Sequence, residues 1–153
     1  VGALAGAAAS AHAQQKPEPV PALLPDKSTI PPGPPTPIDG VWRIDALGAR
    51  VRIEGGRIYA VDSWVHMFVF KVMPGQVVTK DVVRTAPGRY QGEDLPNLGL
   101  WNATLNDNQQ LEVTIKAKLA PLELVLTSLM PDSPQALRRE RAEQIGATSP
   151  PGE

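Results

Sequence analysis

Histidine is the side chain best suited to proton transfer near neutral pH, and this chain has two, His12 and His66. A zinc site needs several His, Cys or carboxylate ligands in a recognisable spacing, which one histidine on a strand does not supply. With no cysteine in the chain, thiolate ligands, disulfides and cysteine nucleophiles are excluded. A Ser-His-acid arrangement would have to use His66, and no serine sits in a G-x-S-x-G elbow. Gly55-Gly56 is followed by no helical pattern, so it reads as a hairpin turn and not a phosphate loop. The carboxylate pair Glu93-Asp94 stands before Pro96 and Asn97 and reads as a solvated turn. The expectation is a protein with no catalytic residue, no metal and no cofactor.

Binding chemistry is carried by "DSWVHMFVFKVMPG", Asp62 to Gly75, which reads as one thick β-strand from Trp64 to Met73. Alternate residues of a strand face opposite ways. Trp64, His66, Phe68, Phe70 and Val72 would share one face; Val65, Met67, Val69 and Met73 would share the other. The aromatic row, joined by Trp101, is the candidate lining of a pocket for a small apolar ligand, with a neutral, desolvated His66 inside it or at its mouth. The aliphatic row Val65, Met67 and Val69 needs a cover, each such side chain gaining about 1.5–3 kcal/mol on burial. A C-terminal helix, the N-terminal arm, a protein partner or a second copy of the chain could supply it. Arg43, Arg50, Arg52 and Arg57 gather on one outward face, but Asp45 and Glu54 lie among them, which gives a solvated mixed face.

Short alternating runs separated by turn residues must position these groups. "VWRIDA" (41–46), "ARVRIE" (49–54), "RIYAVD" (57–62), "QVVTKDVVRT" (76–85), "RYQGEDL" (89–95), "LGLWNATL" (98–105), "LEVTIKA" (111–117) and "LELVLTSL" (122–129) join the thick strand. About nine strands with no helix between them indicate an antiparallel barrel or sandwich. One helix follows: Ser133 caps, Pro134 suits the first helical position, and Gly146 stops it. Its apolar residues Ala136, Leu137, Ala142 and Ile145 form only a thin stripe.

The ends differ in composition. "VGALAGAAASAHA" reads as the end of a secretory signal cut after Ala13, which leaves His66 as the one mature histidine. Lys16 to Pro37 holds nine of the 17 prolines and reads as an extended, disordered arm without helix or central strand. Net charge is -1 with 20% charged residues, so nothing in the balance points to nucleic acid. No apolar run reaches the roughly 20 residues of a membrane-spanning helix.

Gly40-Val41-Trp42 on the first strand resembles the G-x-W that opens lipocalins and related calycin barrels. The up-and-down strands ending in a helix are similar too. The "G-x-W… G-G-R-I-Y" opening also resembles small uncharacterised periplasmic proteins of bacteria. The resemblance implies an up-and-down barrel in which Gly40 and Trp42 form a structural plug at one end. It implies little about activity.

The organisation expected is therefore a signal remnant (1–13), a Pro-rich disordered arm (14–38), an all-β antiparallel up-and-down barrel of eight or nine strands (39–130), a C-terminal helix (131–146) and a disordered tail (147–153). The protein is expected to be periplasmic or secreted, and to act as an interaction or structural module through Val65, Met67 and Val69. The alternative is a carrier of a small hydrophobic ligand. Strands of this length and this many aromatics favour a barrel filled by its own side chains.

Overall fold

A computed structural model describes residues 18–66, 70–118 and 120–148. The expected signal end and tail (147–153), apart from 147 and 148, lie outside the described residues, as do Met67, Phe68 and Val69.

Eight antiparallel strands close into a barrel. In chain order they are Gly40–Ile44 (β2), Ala49–Glu54 (β3), Arg57–Ala60 (β4), Val77–Ala86 (β7), Arg89–Asp94 (β8), Gly99–Leu105 (β9), Gln110–Lys116 (β10) and Pro121–Pro131 (β11). Each pairs with the next, and β11 returns to β2, with Leu126 opposite Ile44. Closure removes both sheet edges, so every strand has two hydrogen-bonded neighbours. Alternation sets the inward faces: Trp42 and Ile44, Val51 and Ile53, Tyr90, Trp101, Ala103 and Leu105, and Leu111, Val113 and Ile115 are all buried in one core. The all-β barrel with a single C-terminal helix is the fold read from the sequence.

Three glycines make the barrel's geometry possible. Gly55 and Gly56 both have positive φ (54° and 86°), which a two-residue hairpin requires. Gly40 of the G-x-W packs where an added Cβ would meet the Met130 carbonyl at 2.5 Å, so β11 can approach β2 only over a glycine. Trp42 is fully buried and its indole N–H donates to the Ile38 carbonyl (2.9 Å).

The thick strand is not one strand, and it is not in the barrel wall. Trp64–His66 (β5) and Phe70–Val72 (β6) pair antiparallel as a hairpin, with Trp64 opposite Val72 and His66 opposite Phe70. The hairpin sits in the β4–β7 connection, and Val20–Pro21 (β1) adds to it as a parallel third strand. Folding back keeps Trp64 and Val72 on one face, and among the described residues of the hairpin this pair reaches the core. Val72 is fully buried and Trp64 packs against the core, whereas Phe70, nearer the tip, is 41% exposed.

The arm is ordered where it is described. Its backbone groups find partners along the barrel: Ala22 N–H to the Lys71 carbonyl, Val77 N–H to the Pro25 carbonyl, and Gly33 N–H to the Gly55 carbonyl, at 2.7–2.9 Å. Proline fixes φ, so such a segment loses little backbone entropy on docking, and its non-proline residues supply both donors and acceptors. Arg57 was expected on a solvated face; it is 8% exposed and donates to the Lys27 and Ile30 carbonyls of the arm while pairing with Glu54 (2.6 Å). The other three arginines are exposed or half-buried and paired: Arg43 with Asp45, Arg50 with Asp62, and Arg52 with Glu54 and Asp132.

Pro134–Thr148 (α1) closes one end of the barrel. Ser133 Oγ accepts from the Ala136 N–H, as a capping serine should. The thin apolar stripe is made good by polar docking. Leu137 enters the core, and Glu140 and Gln144 are buried beside it. The helix therefore covers the end formed by the β7–β8 and β9–β10 turns, and not the hairpin.

Candidate functional site

The opposite end of the barrel is open. It is formed by the β2–β3, β8–β9 and β10–β11 turns, and it holds a cavity of about 270 Å³. Its walls are inward side chains: Ile44, Val51, Ile58, Val78, Trp101, Ile115, Leu124 and Leu126, with Trp64 and Val65 of the hairpin standing over one side. The interior is thus filled at the helix end, by Trp42 and Tyr90 among others, and hollow at this one. Phe70, one of the aromatics expected to fill the interior, has its ring on the outside.

Three polar residues, Thr79, Asp94 and Asn97, face the cavity together on one side. Thr79 of β7 is paired with Asp94 of β8, and both are buried. Asp94 is the last residue of β8 and follows its inward register, Tyr90, Gly92, Asp94, while Arg89, Gln91 and Glu93 point out. Its Oδ2 accepts from both the backbone N–H and the side-chain Nδ2 of Asn97, each at 2.9 Å. That geometry turns the chain, and Leu98 follows with φ of 50°. The solvated-turn reading of Glu93-Asp94 is therefore corrected for Asp94, which is 4% exposed. Strand parity in "RYQGED" was the signal that would have found it.

The hairpin is held in place from its base. Asp62 accepts from the backbone N–H, Nε and Nη2 of Arg50 at 2.9–3.0 Å. Those hydrogen bonds, the side-chain ones first, pull its carboxyl down to about 2. Gly75, with φ of 88°, ends the excursion in the Pro74-Gly75 turn, closed by Gln76 N–H to the Met73 carbonyl.

The sequence candidates divide as follows. Trp64 and Trp101 border the cavity. Phe70 does not: it lines a separate outer depression of about 240 Å³ with Leu24, Val72 and Leu98. His66 ends β5, and Phe68, Met67 and Val69 fall outside the described residues. Val65 is 44% exposed, yet it too borders the cavity. Gly40 and Trp42 are structural, as expected of a plug. Sequence reasoning missed Asp94, Thr79 and Asn97.

A second cluster has perturbed acid–base properties but a different role. Glu140 is buried and accepts from Arg84 through Nε and Nη2 (2.7–3.0 Å) and from the Tyr90 hydroxyl. Burial, and then the bond to Glu140, push the Tyr90 phenol well above its ordinary range. Buried titratable pairs can mark active sites, but here each polar atom is engaged in holding α1 to β7 and β8. Among the described residues no three His, Asp or Glu side chains converge as metal ligands, and no helix is long and apolar enough to cross a membrane.

Comparison with family models, with curated proteins and with solved structures finds no match for the chain. Function must be argued from the site itself.

Proposed function

We propose that this protein binds a small, mostly apolar molecule in the open end of its barrel. The cavity carries the proposal: about 270 Å³ of mainly aliphatic and aromatic wall, with a few polar groups gathered on one side. Small-molecule sites have this composition, and their volumes begin at roughly 300 Å³. The size suits one compact ring system and not a long acyl chain. A resemblance to lipocalin-like barrels, in Gly40-Val41-Trp42 and the order of the strands, fits the same reading. Contact with a partner through Val65, Met67 and Val69 has less behind it, because Val65 already borders the cavity.

Leu124 is a half-buried wall residue of β11, and Leu124→Trp places a bulky ring in the space. An environment-sensitive apolar dye should brighten and saturate with the wild-type protein. With Leu124→Trp the titration should go flat while the unfolding transition is kept. A dye response equal in the two proteins would remove the cavity as the site.

A further inference from the structure

Resting on that reading, we propose that the ligand bears a hydroxyl or carbonyl oxygen, which the Thr79 hydroxyl meets at the cavity wall. Thr79 stands on β7 between two inward residues, opposite Ile58 of β4 and Asp94 of β8. It is 2% exposed and borders the cavity. Its methyl turns toward Gly92, where an added Cβ would meet Cγ2 at 3.2 Å. Among the described residues its hydroxyl has no hydrogen-bond partner. The described side-chain polar atoms that lack a partner and are also sealed from solvent are Arg57 Nε and Ser128 Oγ. Thr79 Oγ1 is not one of them, so it opens on a space, and the space that Thr79 borders is the cavity.

The other polar residues of the wall are occupied. The backbone and side-chain donors of Asn97 both meet Asp94 Oδ2, and Asp94 takes part in a further interaction. Those groups build the wall, and Thr79 supplies the hydrogen bond that the fold leaves unused. Buried hydroxyls are rarely left without a partner, because an unmade bond in a dry place is costly. At an open mouth solvent can serve this one. A pure hydrocarbon that fills the cavity strips the solvent and orphans the hydroxyl, whereas a ligand oxygen takes the solvent's place. The site therefore discriminates against the hydrocarbon analogue of a ring compound that carries an oxygen at one edge.

Naphthalenemethanol, acetonaphthone and methylnaphthalene share one ring body and differ in the oxygen. Each is titrated into the full chain in competition with an environment-sensitive apolar dye. Thr79→Val replaces the hydroxyl with a methyl group. It should weaken at least one of the two oxygen-bearing probes about fivefold or more and leave methylnaphthalene unchanged or tighter. Which of the two responds tells a hydroxyl from a carbonyl. Thr79→Ser keeps the hydroxyl and should keep the wild-type ranking. Because that hydroxyl bonds to nothing in the fold, Thr79→Val should unfold at the same urea concentration as the wild type, or higher. Equal changes for all three probes, no change for any, a Thr79→Ser protein that behaves like Thr79→Val, or a Thr79→Val protein that unfolds markedly earlier would overturn the Thr79 inference and leave the apolar cavity intact. Failure of all three probes to bind the wild-type chain would overturn both.

Discussion

Tyr90 and Glu140 show how one buried pair sets a pH dependence. The phenol is 2% exposed and donates to the Glu140 carboxylate, which Arg84 also grips. Because the folded pKa is raised, the stabilisation is complete below the unfolded value of about 10. As pH rises past that value, the unfolded chain loses its proton first, and stability should fall by about 1.4 kcal/mol per pH unit. Tyr90→Phe should cost about 1–3 kcal/mol at neutral pH, since Glu140 loses a buried partner. Its deficit in urea unfolding should then shrink between about pH 10 and 11; a deficit constant with pH would mean that the phenol is not held protonated by the fold. Nothing local in the sequence joins Tyr90 to Glu140, 50 residues apart. Asp94 was more legible. The alternation in "RYQGED" places it with Tyr90, but its neighbours Pro96 and Asn97 drew it into the turn.

At the scale of elements, the N-terminal arm and the hairpin are the parts whose placement the sequence conceals. Proline content predicts extended backbone correctly but says nothing about whether it docks. Docking depends on distant donors, above all Arg57, whose guanidinium reaches the Lys27 and Ile30 carbonyls. Lys27 in turn lies over the Tyr59 ring at 4.8 Å. Arg57→Met should therefore free the arm without opening the barrel. Limited proteolysis should cut within residues 18–37 at once in the variant and slowly in the wild type, with a loss of about 1–3 kcal/mol in stability. Equal protection of the arm in both would show that other contacts hold it. The hairpin was hidden for a different reason. Residues 64–73 contain no Gly, Pro, Asn or Asp that would mark a reversal, so the run reads as one strand apolar on both faces. Bent back, it presents Trp64 and Val72 to the barrel and leaves Phe70 outside.

For the whole molecule, closure was legible because each barrel strand is short, alternating and bounded by turn residues. Gly55-Gly56 and Pro87-Gly88 mark hairpins that the structure contains, and the helix begins at its capping serine. Which end of the barrel is filled was not legible, since it depends on where α1 comes to rest. That asymmetry is the basis of the functional proposal. A helix with one apolar anchor and a polar grip closes one end, and the mouth beneath the hairpin is left hollow. Methyl NMR during a titration with naphthalenemethanol tests it most directly. Resonances of Ile44, Ile58, Ile115 and Leu126, around the cavity, should shift in a saturable way, while those of Leu105 and Leu137 at the helix end stay still. Shifts confined to the helix end, or no saturable shift at the mouth, would contradict binding in the open end of the barrel.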